Sequence, residues 1–350
     1  MEREKSKKFA LPKKKLFQGH ILPLLGTSPQ LNSSAIFPPA SPTLPALIVI
    51  GGPTASGKTD LAIRLAQHFD TEIISADSRQ FYRDMTIGTA KPDAAALASV
   101  KHHFIDTLSV EDDFSVGDFE RHALDILATL YQTKQVAVVV GGSGLFISAL
   151  CEGLDRFPDV SAEVKGSVEA AVAAEGLPWL QTTLQRLDPV YYEQVDRQNP
   201  ARLRRAVEVC LASGQPYSAF LNHKKKARPF RPLYVLLELP RPELYARIDA
   251  RVEQMVAAGL EAEARRLLPW RQRSALRTVG YEEWFDCFDG AMDRKTAVEK
   301  IKQHTRNYAK RQITWFKKYG QWTAFHPADW EAIKKFCEQG VKDPLQGASV

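Results

Sequence analysis

Cysteine is scarce: there are four thiols in 350 residues, Cys151, Cys210, Cys287 and Cys337, with no C-x-x-C pair among them. Neither a disulfide framework nor a cysteine-rich zinc site is indicated. No apolar run approaches the roughly 20 residues that span a bilayer as a helix. No internal repeat is evident, so nothing points to a solenoid or propeller. Charge of one sign is also thin beyond the first 45 residues. The net charge is +6, but residues 1–45 hold seven Lys/Arg against Glu2 and Glu4, and the rest is nearly balanced. A case for a nucleic-acid partner must therefore rest on local clustering. With 44% apolar and 25% charged residues, the composition is that of an ordinary soluble protein. The length suffices for one large α/β core and a smaller satellite domain.

What is present is a phosphate-binding loop in its required setting. The apolar run Ala46–Ile50 reads as a buried strand, and Asp60–Phe69 as a helix. Between them Gly52-Pro53-Thr54-Ala55-Ser56-Gly57-Lys58-Thr59 satisfies G-x-x-x-x-G-K-[ST]. The glycines let backbone N–H groups turn toward phosphate oxygens, and the helix N-terminus adds its positive dipole end. Lys58 supplies a point charge, and Thr59 can ligate Mg²⁺.

A nucleotide hydrolase would also carry a later apolar strand ending in a metal-holding aspartate. The best candidate strand, Val136–Val140, runs instead into Gly141-Gly142-Ser143-Gly144. A carboxylate does follow another strand, Glu72–Ala76, in Asp77-Ser78-Arg79-Gln80. Strand carboxyl ends form the ligand crevice of an open α/β sheet, so Asp77 is expected beside the phosphates. Position alone suits a proton-accepting base as well as a metal-holding or helix-capping group.

Strands at 46–50, 72–76, 136–140 and 233–239 alternate with helical stretches such as 115–133, 242–268 and 294–319. This predicts a P-loop-type α/β core with a parallel sheet flanked by helices. Residues 151–231 turn helical and then basic, as an inserted helical domain would. The core is expected over 46–150 and 232–326, with a disordered basic, proline-rich tail at 1–45 and a C-terminal tail at 327–350. Two stretches concentrate positive charge. Between Arg197 and Arg231 lie Arg202, Arg204, Arg205, Lys224, Lys225, Lys226 and Arg228, and Lys302, Arg306 and Lys310 share one helix face farther on. Such a stripe can track a phosphate backbone or be a solvated basic face.

Five blocks in order carry a family resemblance: Asp77-Ser-Arg-Gln-Phe-Tyr82, Ile87-Gly-Thr-Ala-Lys-Pro92, Val140-Gly-Gly-Ser-Gly-Leu-Phe146, Arg277-Thr-Val-Gly-Tyr281 and Thr305–Phe316. Over about residues 46–325 the chain resembles the tRNA dimethylallyltransferases. The resemblance implies transfer of a dimethylallyl group from its diphosphate, with Mg²⁺ as cofactor. The acceptor would be the exocyclic amine of the adenosine 3′ to the anticodon. It implies a donor diphosphate on Gly52–Thr59, Asp77 as base, and Lys58, Ser143 and Arg277 acting on the leaving diphosphate. It implies tRNA contacts from Asp77, Ser78, Arg79, Gln80, Lys165, Ala201, Arg202, Leu203, Arg204, Arg205, Arg277, Thr278, Val279, Gly280, Tyr281 and Glu282. A cytoplasmic monomer of the bacterial short type, with no membrane association, is expected.

Some positions depart from the family pattern. Ser143 stands where threonine is usual, and Phe146 where tyrosine is common. Lys165 replaces an arginine, keeping the charge but losing the bidentate fork. Val195–Pro200 also differs from its usual counterpart. Two other readings compete with the transferase. A small-molecule or nucleotide kinase would share the loop and sheet but release ADP, and a non-catalytic RNA-binding module would not need Lys58, Thr59 and Asp77 in one crevice.

Overall fold

The computed structural model describes residues 44–221 and 225–343. The expected disordered tail therefore lies outside the described residues except for its last two, as do Lys224 and residues 344–350. Six parallel strands form one sheet: β1 (Ala46–Gly51), β2 (Ile73–Ser75), β3 (His102–His103), β4 (Val136–Val140), β5 (Arg231–Leu237) and β6 (Thr323–Phe325). Their spatial order is β3-β2-β4-β1-β5-β6, with β1 paired to β4 on one side and to β5 on the other. β1 and β4 are buried along their whole length, which explains why they read as unbroken apolar runs. β3 and β6 were not expected, because His-His and the largely exposed Thr-Ala-Phe form no apolar run.

Alternate strand residues feed two cores. Leu47, Val49, Ala137 and Val139 meet one helical layer, while Ile48, Ile50, Val138 and Val235 meet the other. Before the insert come α1 (Lys58–His68), α2 (Ala94–Ser99), α3 (Val116–Leu130) and α4 (Gly144–Glu152). The start of α3 is set by a capping box, with Ser115 and Asp118 satisfying each other's backbone N–H.

Next come α5 (Ala162–Glu175), α6 (Leu177–Leu187), α7 (Pro189–Gln194) and α8 (Pro200–Ser213). They share a core of their own around Val168, Leu180, Leu184, Leu203 and Val207. Asn199 accepts from the Arg202 N–H, and Pro200 opens α8 where its missing donor costs nothing.

After β5 the chain forms α9 (Arg241–Ala257), α10 (Leu260–Leu267), α11 (Glu282–Phe288), α12 (Arg294–Lys318) and α13 (Trp330–Lys342). The stretch expected as one helix over 242–268 is two, broken at Gly259, whose φ of 102° an L side chain rarely adopts. The expectation of a tail from 327 is corrected. Trp330, Ile333, Cys337 and Val341 form an apolar stripe, and α13 lays it on the sheet face that α1 also covers. Arg64 of α1 stacks over the Trp330 ring at 4.0 Å and fastens the two helices.

Candidate functional site

The phosphate loop, Asp77 and the Gly141–Ser143 turn all follow carboxyl ends of neighbouring strands, β1, β2 and β4. Thr54 of the loop and Asp77 line a cleft of about 360 Å³, together with Arg251, Arg277 and Tyr308. Within the loop, Gly57 adopts φ 87° immediately before α1, and the Lys58 ammonium curls back to the Pro53 carbonyl at 2.5 Å. Burial pushes the Lys58 pKa down to about 7, against the pull of the Asp77 carboxylate and with help from the Arg251 charge.

That value sets a pH dependence. Below about pH 7 the unliganded site already holds the ammonium that a diphosphate needs. Above it, binding must first take up a proton, so affinity falls by up to tenfold per pH unit until the liganded pKa is reached. Calorimetric titration of pyrophosphate between pH 6 and 9 should show proton uptake on the alkaline side, and Lys58→Met should remove it. Uptake that is unchanged in that variant would place the titrating group elsewhere.

Asp77 accepts the Arg79 N–H on Oδ1 at 3.0 Å, and its Oδ2 has no hydrogen bond among the described residues. One oxygen is thus oriented by backbone while the other is left for a ligand. Tyr308 reaches the same place from α12. Burial of its hydroxyl and the nearby Asp77 charge push its pKa up to about 12. Ser143 stands just before α4 and makes no capping hydrogen bond, so its hydroxyl remains uncommitted at the end of β4.

Two residues that sequence reasoning missed complete this floor. Gln312 of α12 accepts the Thr54 N–H at 2.9 Å and donates to the Gly142 carbonyl at 2.9 Å, tying the phosphate loop to the turn after β4. A Cβ at residue 142 would lie 2.2 Å from the Gln312 amide nitrogen, so this turn needs glycine for close approach. Arg251 of α9 lies on the other side of the loop. Among the described residues its one hydrogen bond, to Thr54 Oγ1, is long at 3.5 Å. Burial lowers its pKa while Asp77 and Asp60 pull it back up. It is a part-buried cation whose guanidinium is barely committed. Nothing in the local sequence of α9 marks it, since Arg247 and Arg251 look alike until the fold turns one inward.

This bears on Arg277, the arginine expected at the diphosphate. Its side chain is exposed on the cleft rim, and its charge acts on Glu282. The arginine beside the phosphate loop is Arg251. Arg79 and Gln80 are engaged within the protein. The Arg79 guanidinium donates to the carbonyls of Ser274, Ala275 and Arg277, and the Gln80 amide donates to those of Thr89 and Ala90. Ser78, Thr278, Val279, Gly280 and Glu282 line the cleft. Tyr281 does not; it is fully buried, with its hydroxyl on Glu263.

The basic stretches resolve in the same way. Lys302 pairs with Glu253 and Glu299, and Arg306 with Asp249, so these two cations hold α12 against α9 rather than facing solvent. Arg228 is buried against Glu120 at 2.6 Å, and Arg231 donates to carbonyls of α13. Cations that stay exposed include Lys310 and Arg311 on α12, Lys165 on α5, and Arg202 and Arg205 on α8, beside exposed Ala201 and half-buried Arg204. Leu203 is fully buried in the α5–α8 core and supports α8 from within.

For a divalent metal, the chain offers the Thr59 hydroxyl at the second position of α1. Among the described residues no cluster of three or more His, Cys, Asp or Glu could hold an ion on its own. One hard oxygen beside a diphosphate cradle suits Mg²⁺, which takes most of its remaining ligands from substrate phosphates and water. The fit is to a metal that arrives with the diphosphate.

A parallel sheet with a phosphate loop, a carboxylate at a neighbouring strand end and no acid after β4 defines a P-loop-type α/β protein. Comparison with known proteins narrows the class. The family model described as IPP transferase matches residues 80–319. A relative from Christiangramia forsetii, a tRNA dimethylallyltransferase, is 51% identical over 78% of this chain and 90% of its own length. One from Flavobacterium johnsoniae with the same name is 46% identical over 78% and 90%. The crystal structure of the full-length tRNA isopentenylpyrophosphate transferase from Bacillus halodurans superposes with a TM-score of 0.65 at 31% identity, covering 86% of this chain and 98% of that one. The chain belongs to the IPP transferase family.

Proposed function

We propose that this protein is a tRNA dimethylallyltransferase. It transfers the dimethylallyl group of dimethylallyl diphosphate to the exocyclic N6 amine of the adenosine 3′-adjacent to the anticodon, releasing diphosphate. The observation that carries the reading is the union, in one cleft, of a diphosphate-binding loop with the half-oriented Asp77 carboxylate. The Gly141–Gly142 turn stands where a phosphoryl-transfer enzyme would place its metal-holding acid.

In the reaction the N6 lone pair attacks C1 of the allyl group while the C1–O bond breaks and its electron pair departs with the diphosphate. Lys58, Arg251, the Ser143 hydroxyl and the loop N–H groups receive the developing negative charge. The amine becomes acidic only as its new bond forms, so the free oxygen of Asp77 takes the proton at that stage. Mg²⁺, held by Thr59 and the donor, would neutralise part of the diphosphate charge.

The adenine enters as an extruded base, since no stacked anticodon-loop base could enter a crevice at the carboxyl ends of the strands. The stem-loop contacts the rim at Ser78, at Arg277–Gly280 and at Glu282, while the 151–231 insert supplies Lys165, Ala201, Arg202, Arg204 and Arg205 to the backbone. The protein acts as a monomer in the cytoplasm. Among the described residues no helix is long and apolar enough to cross a membrane.

Incubation with dimethylallyl diphosphate and unmodified anticodon stem-loop, followed by nucleoside mass spectrometry, should yield N6-dimethylallyladenosine and pyrophosphate. Formation of ADP from ATP and a small acceptor, with no modified nucleoside, would restore the kinase reading. A second test addresses the RNA surface. Changing both Arg202 and Arg205 to Gln should lower the salt slope of RNA binding by about 1.5, the worth of two phosphate contacts, while pyrophosphate binding is unaffected. The same change at Lys302 and Arg306 should leave the slope alone and lower the melting temperature, because those cations are spent on α9. Equal slopes in wild type and the Arg202/Arg205 variant would remove the insert from the RNA contact.

A further inference from the structure

Glu263 belongs to no motif of the diphosphate chemistry, yet it is 1% exposed and takes four donors. Its Oε2 accepts the N–H groups of Thr86 and Ile87 at 3.1 and 2.9 Å. Its Oε1 accepts the Gly88 N–H at 2.9 Å and the Tyr281 hydroxyl at 2.7 Å. Burial and the carboxylate itself raise the Tyr281 pKa, so that hydroxyl stays a donor. The two segments so joined are adjoining walls of one opening. Gly88, Thr89 and Ala90 line the cleft, as do Thr278, Val279 and Gly280. They also touch directly, since a Cβ on residue 88 would lie 2.6 Å from the Tyr281 ring.

From this we infer that Glu263 is a positioning residue that sets how two adjoining walls meet in the cleft where the adenine amine reaches Asp77. It acts by drawing three consecutive N–H groups of the 86–88 turn and the Tyr281 hydroxyl onto one carboxylate. The inference rests on the transferase reading above. A surface carboxylate could serve a loop with one or two bonds, but four donors converging on a buried group from α10 fix both walls in distance and in angle. Gln80 extends the same frame, binding the carbonyls of Thr89 and Ala90 from beside Asp77. The base and the wall it faces are thereby referenced to one another. The phosphate loop has no part in this network; it is held by Gln312 instead.

That separation makes the role testable. In Glu263→Gln one oxygen becomes an NH₂ facing N–H and O–H donors, so at least one wall must shift. A displacement near 1 Å costs on the order of 100-fold in rate. The expected result is a single-turnover prenylation rate about 100-fold below wild type at saturating RNA, with one pyrophosphate still bound per chain at wild-type affinity. A purely structural role would lower pyrophosphate stoichiometry and rate together. Tyr281→Phe, which keeps the three N–H bonds and the ring against Gly88 but cuts the bond from Glu263 to the second wall, should lower the rate less than Glu263→Gln does, with pyrophosphate still bound normally. Should Glu263→Gln not fold, as judged by lost pyrophosphate binding, Gly88→Ala spreads the walls while leaving the carboxylate in place. It should show the same loss of chemistry with pyrophosphate bound normally. Near wild-type single-turnover rates in the variant that binds pyrophosphate would overturn the inference. If the wild-type protein itself makes no prenylated RNA, the functional reading fails first, and that result is visible before any variant is made.

Discussion

Replacing Asp77 by asparagine is expected to lower the single-turnover rate of prenylation by roughly 10²–10⁴, the usual worth of a positioned general base, with donor and RNA affinities nearly unchanged. The geometry supports a change this clean. The Arg79 N–H fixes one carboxylate oxygen, and an asparagine side-chain oxygen can accept the same bond. The variant therefore keeps the shape and loses only the capacity to take up a proton at the second oxygen. Asp77→Ala should be about as inactive, because what it lacks beyond asparagine is orientation, which has no use without a base. Lys58→Ala should differ in kind, weakening donor binding as well as turnover, since its charge meets the phosphates in the ground state too. Measurement of both binding constants and the single-turnover rate separates the cases. Close to full activity in Asp77→Asn would reduce Asp77 to a positioning or metal-shell group and reopen the search for the base.

The phosphate loop, strands β1, β2, β4 and β5, and Asp77 were legible in the sequence because each is a local pattern. Apolar run, glycine spacing and helix follow one another within a few residues, and a strand end announces the crevice by itself. What was not legible depends on partners distant in the chain. Gln312 meets Thr54 across 258 residues, and Glu263 meets the 86–88 turn across some 175, so neither leaves a local trace. Charge counting failed for the same reason. Lys302, Arg306 and Lys310 do share a helix face, but a count cannot see Asp249 and Glu253 arriving from α9 to neutralise two of them. Arg79 and Gln80 stand beside the expected base, yet their donors are consumed by backbone carbonyls of the surrounding loops. Tyr281 and Leu203 illustrate the converse, since a motif can mark a segment as functional while the side chain within it is core.

Two of the arginines that line the cleft, Arg251 and Arg277, give the last and sharpest comparison. Arg251→Gln is expected to lower the single-turnover rate by about 10²–10³, as the loss of one preorganised donor to developing charge typically does. Its guanidinium stands beside Thr54 of the phosphate loop and is close enough to Lys58 to lower that group's pKa. Because its fork is barely committed within the protein, an arriving diphosphate finds donors that need not break other bonds first. Arg251→Lys should recover part of the loss, since the charge remains while the bidentate fork does not. Arg277→Gln should behave otherwise. Its side chain is exposed on the rim, where a cation steers or holds RNA. Turnover at saturating RNA should therefore stay within a few fold of wild type while the KM for RNA rises. The two variants assayed side by side decide the assignment. If Arg277→Gln lost the chemistry and Arg251→Gln kept it, the diphosphate arginine would be the one on the rim, and the cleft would have to close around the donor to bring it there.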